Sequence, residues 1–157
     1  MNNELFEILK KLTNQSLKSD DIPVAAIIVD KDNNIIGTGN NTRIKNNSLV
    51  EHAEINAVLS AIKKVNSFHL EDYKLITTLE PCLMCIGAIE QAYISEVQYI
   101  VESHKFGSIT SRGVSRSKTK LKTTKINDKE SDNYFKNQLQ EFFKQLRKRG
   151  AKADVWN

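Results

Sequence analysis

Apolar and polar positions alternate along the chain with two different periods, which predict helices and strands in succession. Within the first twenty residues one apolar set repeats at helical spacing: Leu5, Ile8, Leu9 and Leu12. This spacing predicts an amphipathic helix that ends before Asp20. Residues 24–29 form an unbroken apolar run, typical of a strand buried on both faces. The polar residues 31–34 then predict a hairpin turn into a second strand over residues 35–39.

The middle of the chain continues this alternation. Residues 40–50 have the polar composition of a loop. A helix is predicted to begin at His52, with one apolar face at helical spacing: Ile55, Val58, Leu59, Ile62 and Val65. Residues 74–78 predict a third strand. Pro81 stands where proline is tolerated, in the opening turn of a helix over about residues 82–93.

The last third of the chain completes a mixed pattern. Residues 97–101 predict a fourth strand, and residues 120–126 predict a fifth with few apolar positions. A final helix has an apolar stripe that reaches the basic end of the chain: Phe135, Leu139, Phe142 and Leu146. The elements together predict an α/β fold in one domain over residues 1–157, with helices covering a central sheet.

Composition narrows the class of protein. A chain of 157 residues that is 39% hydrophobic and 27% charged fits one globular domain. Its only cysteines are Cys82 and Cys85, too few for a disulfide framework and spaced as metal ligands or a redox pair. No signal-peptide core or membrane-length apolar run is present, so we expect a cytoplasmic protein without a membrane partner.

The charge distribution indicates a polyanionic partner. The net charge is +4, and no acidic residue stands between Glu102 and Asp128. Seven basic residues fall in that stretch: Lys105, Arg112, Arg116, Lys118, Lys120, Lys122 and Lys125. Five more lie near the end of the chain: Lys144, Arg147, Lys148, Arg149 and Lys152. Two such clusters favour phosphate contacts, although an AT-rich genome would enrich lysine without any nucleic-acid role.

Two short segments carry candidate chemistry, residues 52–54 (His-Ala-Glu) and residues 81–85 (Pro-Cys-Leu-Met-Cys). Residues two apart point to nearly opposite sides in mid-helix, but at a first turn both His52 and Glu54 can reach past the helix end. Cysteines three apart share one face of a helix. The positive end of a helix also favours thiolate over thiol. Both segments therefore suit one shared metal site.

The ligand set indicates a catalytic rather than a structural zinc. His52, Cys82 and Cys85 provide three donors and leave a fourth position for water. Zinc lowers the pKa of such a water to about 7, and Glu54 is placed to move its proton. Alternatives remain open: a structural half-site, a redox pair, or a closed site in which His69 or His104 is the fourth ligand.

The chain resembles the cytidine-deaminase superfamily, whose signature is H-x-E followed by P-C-x-x-C, and within it the bacterial tRNA-specific adenosine deaminases. The resemblance rests on residues 22–26 (IPVAA), 52–54 (HAE), 78–89 (TLEPCLMCIGAI) and 141–143 (EFF). It implies a three-layer α/β/α fold, with helices on both faces of a mixed five-stranded sheet. It also implies zinc-dependent hydrolysis of the wobble adenosine of a tRNA anticodon to inosine.

The resemblance further implies a homodimer that binds the tRNA anticodon stem-loop, with one Zn²⁺ per subunit. Its metal ligands would be His52, Cys82 and Cys85, and its catalytic residue Glu54. Substrate-binding positions carried over by the resemblance are Asn41 at the target nucleoside, backbone near Ala53 and Leu83 at the base, Lys105 at the RNA backbone, and Phe143 and Arg147 at the anticodon loop.

Several features differ from the family pattern and keep other functions open. Glu51 adds a carboxylate just before His52, and Ser103 stands where an aspartate is typical. Residues 107–123 lack elements that usually shape the RNA groove. A deaminase of a free nucleobase, nucleoside or other nucleotide is therefore an alternative. A non-catalytic zinc-binding RNA-binding subunit is a second, against which the presence of Glu54 argues.

Overall fold

The computed structural model of the protein describes residues 1–109 and 121–150. The strands in these ranges are β1 (Ala25–Val29), β2 (Ile35–Asn40), β3 (Lys74–Leu79), β4 (Glu96–Val101) and β5 (Lys122–Lys125). The helices are α1 (Asn3–Lys18), α2 (Arg43–Asn46), α3 (Ala53–Val65), α4 (Leu83–Gln91) and α5 (Lys129–Lys148). The predicted strands and long helices are all present, each within a few residues of its predicted bounds.

The five strands form one mixed sheet in the order β2-β1-β3-β4-β5. β1 pairs antiparallel with β2 and with β3, whereas β3, β4 and β5 run parallel. The end of β2, the start of β1 and the carboxyl ends of β3 and β4 therefore meet at one edge of the sheet. The segments that follow β2, β3 and β4 all leave from this edge, which we call the functional edge.

Helices cover both faces of the sheet, as the sequence predicted. All five residues of β1 are buried, which requires cover on each side. On one face α1 packs against α5, where the Phe6 ring makes edge contacts with Tyr134 and Phe135 at 5.7 Å. On the other face α3 packs against β2, β1 and α4. No helix within the described ranges is long and apolar enough to cross a membrane.

The first and last helices bury the stripes that their spacing predicted. In α1 the core residues are Leu5, Leu9 and Leu12, while Ile8 is partly buried. In α5 all four predicted apolar residues are buried: Phe135, Leu139, Phe142 and Leu146. These long, strongly periodic segments place one apolar face against the sheet, and burial of that face stabilises them more than helix propensity does.

The predicted apolar face of α3 was wrong in part. The buried residues are Ala53, Glu54, Ala57, Val58 and Ala61, whereas Leu59 is 50% exposed. The reason is the close approach of α3 to β2. A Cβ atom at Gly39 would lie 2.2 Å from the Ala53 carbonyl oxygen. Only small side chains fit between the two backbones, so alanines occupy the interface and Leu59 turns outward.

The predicted loop over residues 40–50 contains one helical turn. Asn40 still belongs to β2, and α2 forms a single turn after it. The N–H groups of Ile44 and Lys45 donate to the two carboxyl oxygens of buried Asp21, at 2.6 and 3.1 Å. This cap comes from a residue distant in the sequence. Local composition therefore could not reveal the turn.

Candidate active site

The three predicted metal ligands lie at the openings of α3 and α4, on the functional edge. His52 and Cys82 are the residues that directly precede the two helices, with extended backbone (φ −70° and −75°). Cys85 lies in the first turn of α4 and is buried. Helix α4 thus begins one residue later than predicted. Because α3 and α4 pack against each other, their openings bring the three side chains together.

The distances within this cluster fit one tetrahedral zinc ion. His52 Nδ1 lies 3.6 Å from Cys82 Sγ and 3.5 Å from Cys85 Sγ. All three ligand atoms lie within 4.8 Å of one another. In a tetrahedral zinc site the Zn–S distance is about 2.3 Å and the Zn–N distance is about 2.05 Å, so a sulfur and a nitrogen ligand lie about 3.6 Å apart. The two cysteines and the histidine are therefore already spaced as zinc ligands.

Neither alternative fourth ligand joins the cluster. His69 stacks on the Tyr93 ring at 4.7 Å and lies 3.8 Å from Glu71. His104 lines the cavity described below but is outside the group of mutually close ligands. Over residues 1–109 and 121–150, no other set of three His, Cys, Asp or Glu residues has this spacing. The structure therefore favours a site with three protein donors.

The surroundings of the two cysteines shift the pKa values of their thiols in opposite directions. Cys82 accepts a hydrogen bond from Cys85, which together with contact to His52 lowers the pKa of Cys82 to about 4. Donation to Cys82 and burial raise the pKa of the Cys85 thiol far above its usual value. Burial lowers the pKa of His52, but hydrogen bonding to Cys82 and the charges of Glu54 and Cys82 outweigh it and raise that pKa. One thiolate is therefore in place before a metal binds.

Glu54 lies beside the cluster as the second residue of α3, and its side chain is buried at 4% exposure. Its carboxyl oxygens accept from Cys85 Sγ at 3.6 Å and from Thr77 Oγ1 on β3 at 3.4 Å. Burial raises the pKa of Glu54, whereas a bound divalent cation would act in the opposite direction. The predicted convergence of His52 and Glu54 at a helix opening is thus present.

A cavity of about 850 Å³ opens onto the cluster. His52, Glu54 and Cys82 form part of its wall. Five of the six predicted substrate-binding residues also line it: Asn41, Ala53, Lys105, Phe143 and Arg147. Leu83 is not part of the lining; its side chain is 45% exposed on α4, and the adjacent Met84 lines the cavity instead. The contacts of these residues with a substrate stay predictions.

Asn41 and Phe143 both line the cavity, and their other contacts show how each is held there. Asn41 is buried, and its side-chain oxygen accepts from the Arg43 N–H at 3.1 Å, so it braces its own loop while lining the cavity. Phe142 is core and Phe143 faces the cavity, as expected for adjacent helical residues.

Glu51 is not the extra carboxylate by the site that the sequence suggested. It turns into the preceding loop and accepts from Thr42 Oγ1 at 3.0 Å and Asn46 Nδ2 at 2.7 Å.

Sequence reasoning missed several residues of the cavity wall. They include the cations Arg43 and Lys136, and also Phe106 and Gln140. Lys125, predicted only as part of a basic cluster, and His104, predicted only as an alternative metal ligand, line the cavity as well. A signal was available for α5, because its cavity-lining residues recur at helical spacing: Asp132, Lys136, Gln140, Phe143 and Arg147. Of the predicted basic clusters, Arg112, Arg116, Lys118, Lys120 and Lys152 lie outside the described residues, as does most of the segment 107–123.

A mixed sheet between two helical layers, with a His-Cys-Cys cluster and a buried glutamate at two helix openings, defines a class of zinc-site proteins of the deaminase fold. The sequence model for the cytidine and deoxycytidylate deaminase zinc-binding region matches residues 1–101. The chain belongs to this family.

Comparison with known proteins gives more specific similarities. A tRNA-specific adenosine deaminase of Streptococcus pyogenes serotype M1 is 41% identical over 105 residues, which span 67% of this chain and 60% of that protein. A structure from a study of A-to-I editing by tRNA:A34 deaminases superposes with a TM-score of 0.71 and 26% identity, covering 78% of this chain and 98% of that one. Guanine deaminase from Bacillus subtilis superposes with a TM-score of 0.59 and 28% identity, covering 87% and 93%.

Proposed function

We propose that this chain is a single zinc-dependent deaminase domain over residues 1–157. Its reaction is hydrolysis of the wobble adenosine of a tRNA anticodon to inosine, in the cytoplasm. The similarity to the S. pyogenes protein and to the tRNA:A34 deaminase structure supports this proposal. The reaction takes up one water molecule and releases ammonia from C6 of the purine.

The charge of the cavity wall is the main observation in favour of an RNA substrate over a free nucleobase. Five cations from four segments of the chain line the cavity (Arg43, Lys105, Lys125, Lys136 and Arg147), together with four carboxyl groups (Glu54, Glu80, Glu102 and Asp132). Glu54 and Glu80 are buried, and Glu102 pairs with Lys125 at 3.5 Å. Among the side chains that are not buried, five cations therefore face two carboxyl groups. A free nucleobase has no phosphate to pair with them, whereas an RNA loop presents several. The volume of about 850 Å³ is also near the upper end of small-ligand sites. The excess of cations among the accessible side chains of the wall thus favours a polynucleotide, and the volume is compatible with one.

His52, Cys82 and Cys85 would hold one Zn²⁺ per subunit, in keeping with their spacing. When bound, zinc supplies a Lewis acid that makes water a competent nucleophile near neutral pH. The protein itself fixes the positions of the ligand atoms. Two helix openings hold the donors, and the thiolate of Cys82 is available before binding.

Glu54 is the proposed proton carrier. Its carboxyl group accepts a proton from the attacking water, gives it to N1 of the purine, and assists departure of the amine as ammonia. Thr77 Oγ1 donates to the carboxyl group at 3.4 Å and helps to hold it in one orientation. Its burial makes the protonated form accessible, as a group that both accepts and donates a proton requires.

The substrate contacts follow the position of each residue on the wall. Asn41 and Ala53 lie near the cluster and would contact the target nucleoside, with the backbone of Leu83 as a further predicted contact. Lys105 and Arg147 would meet phosphates, and Phe143 would stack on a splayed base.

A homodimer is also proposed. Exposed apolar side chains on the two packed helices α3 and α4 support it: Leu59 (50%), Leu83 (45%) and Met84 (37%). A second copy would remove this surface from water. Sedimentation equilibrium tests the proposal: the wild type should be a dimer and Leu59→Glu a monomer. A monomeric wild type would reject it.

The function itself is tested with zinc-loaded protein and a transcript of a tRNA whose anticodon begins with adenosine. Inosine at the wobble position, with stoichiometric ammonia, is the expected product. Glu54→Gln is the matched inactive control, since it preserves the size of the side chain. Absence of inosine at full zinc loading would reject the proposal.

A free-base deaminase is the second candidate, because guanine deaminase from B. subtilis shares 28% identity over nearly its whole length. Ammonia release from guanine, together with an inert tRNA, would select this candidate.

A further inference from the structure

A second buried carboxyl group, Glu80, lies at the functional edge and has no part in the proposed chemistry. It follows the last residue of β3 and precedes Cys82 by two positions. Its side chain is 3% exposed. Its own N–H donates to the Val101 carbonyl oxygen at 2.8 Å, which extends the pairing of β3 with β4. Glu80 thus lies where the two parallel strands end.

Both carboxyl oxygens of Glu80 accept backbone N–H groups from the segment after β4. Ser103 N donates to Oε2 at 3.0 Å, and Ile109 N donates to Oε1 at 2.9 Å. We call residues 103–109 the rim loop. Because the two donors stand at its first and last residues, one carboxyl group connects both ends of the loop. Buried acceptors of this kind are costly to lose, since the N–H groups would remain unpaired.

The rim loop lies directly on the carboxyl group. A Cβ atom at Gly107 would be 2.3 Å from Glu80 Cδ and 2.4 Å from Oε2, so this contact requires glycine. The loop also contacts the metal-binding segment: Ser108 N and Oγ donate to the Pro81 carbonyl oxygen at 3.1 and 2.9 Å. The position of the loop relative to the cluster therefore depends on Glu80.

The rim loop presents three side chains to the cavity, those of His104, Lys105 and Phe106. Lys105 Nζ lies 5.1 Å from the centre of the Phe106 ring, and Phe106 is 39% exposed. A cation beside an aromatic face suits a nucleotide, because the phosphate pairs with the cation and the base stacks on the ring. This pair would meet a nucleotide next to the target.

We propose that Glu80 is a positioning residue that holds the rim loop so that Lys105 and Phe106 contact a nucleotide flanking the target. The inference rests on the proposed function, because it assumes a polynucleotide in the cavity. Glu80 lines the cavity but is not one of the three residues of the cluster, and it acts through the loop. Its loss should therefore weaken binding of RNA while zinc content and turnover persist.

Glu80→Gln in the full-length, zinc-loaded protein is the first test. The amide keeps the length of the side chain but offers one acceptor oxygen and an NH2 group that would face a second N–H donor. We expect hydrogen exchange of the Ser103 and Ile109 amides, followed by NMR, to accelerate by about tenfold or more. The KM for an anticodon stem-loop RNA should rise about five- to tenfold, with kcat and zinc per chain within about twofold.

Glu71→Gln is the matched control, since Glu71 is an exposed glutamate beside His69; it should change none of these quantities. Unchanged exchange at Ser103 and Ile109 in Glu80→Gln would overturn the proposal. Loss of zinc, or a fall in kcat at constant KM, would also overturn it. If the wild type leaves tRNA unmodified, the proposed function is rejected independently of the role of Glu80. The exchange measurement then still tests the loop, because it needs no substrate.

Gly107→Ala decides the question if Glu80→Gln does not fold. The added methyl group displaces the loop from Glu80 without changing that carboxyl group, so the same rise in KM is expected with zinc retained. A double-mutant cycle with Phe106→Ala sharpens the result. If Glu80 acts through the loop, Glu80→Gln should raise KM by a smaller factor in the Phe106→Ala background than in the wild type, with the contact of Lys105 accounting for what remains. Full additivity of the two effects would contradict the proposal.

Discussion

The metal cluster and the wall of the cavity are built in different ways. The cluster takes its ligands and the buried glutamate from two short segments, residues 52–54 and 82–85, at the openings of two packed helices. The cations of the wall come from α2, the rim loop, β5 and α5, which are far apart in sequence. The chemistry is therefore encoded locally, whereas the surface that selects a substrate is assembled by the whole fold.

This difference predicts two kinds of defect. A change in the cluster should remove the metal or most of the turnover, because each group there has a distinct part in the proposed reaction. A change in the wall should weaken binding by a limited factor, because several side chains share the contact.

The largest effect is expected for loss of a metal ligand. Cys82→Ala leaves two donors of three, so zinc should be lost and kcat/KM should fall by about a thousandfold or more. Zinc per chain by mass spectrometry and inosine formation are the measurements. A variant that retains full zinc would show that Cys82 is not a ligand.

Glu54→Gln should separate metal binding from turnover. Zinc should remain at one per chain, while kcat falls by about 100- to 10,000-fold because the proton carrier is gone. Glu51→Gln is the matched control, since Glu51 faces the preceding loop; it should stay within about threefold of the wild type. Equal activity of Glu54→Gln and the wild type would refute the proposed proton carrier.

Changes on the α5 part of the wall should act on binding. Phe143→Ala should raise KM for RNA by about 5- to 100-fold, the usual range for a lost stacking contact. Arg147→Ala should lower the slope of log affinity against log salt by about one. Lys144→Ala, an exposed neighbour outside the cavity lining, is the control and should leave KM unchanged. A loss of kcat at constant KM in Phe143→Ala would place this residue in the chemistry instead.

The smallest effect concerns protons released when zinc binds. Above about pH 5 Cys82 is already a thiolate, since its pKa is about 4, whereas Cys85 keeps its proton because its pKa is raised. Metal ligation requires both thiolates, so zinc uptake near pH 8 should release at least one proton, that of Cys85. Toward lower pH a second proton should come from His52, whose pKa is also raised. Zinc affinity should therefore increase with pH.

Titration calorimetry in two buffers of different ionisation enthalpy measures this proton count. Uptake without proton release would mean that both thiols are ionised before the metal arrives. The hydrogen bond from Cys85 to Cys82 would then not exist in the metal-free protein.

Much of the fold followed from periodicity. Long segments such as α1 and α5 bury the same stripe that their spacing predicts, because one face of a helix must leave water. The exceptions have tertiary causes. Leu59 turns outward because β2 and α3 approach at Gly39. The turn α2 exists because Asp21, distant in sequence, caps its N–H groups.

The sequence indicates which residues form the His-Cys-Cys cluster and which carboxyl group lies beside it, because a helix opening fixes where residues within a few positions of it can reach. Tertiary contacts bring the two helix openings together, turn Glu51 away from the site, place Glu80 against the rim loop and direct Lys125 into the cavity. These choices depend on contacts between segments that meet through strand order and helix packing. Such contacts have no period or spacing along the chain from which they could be inferred.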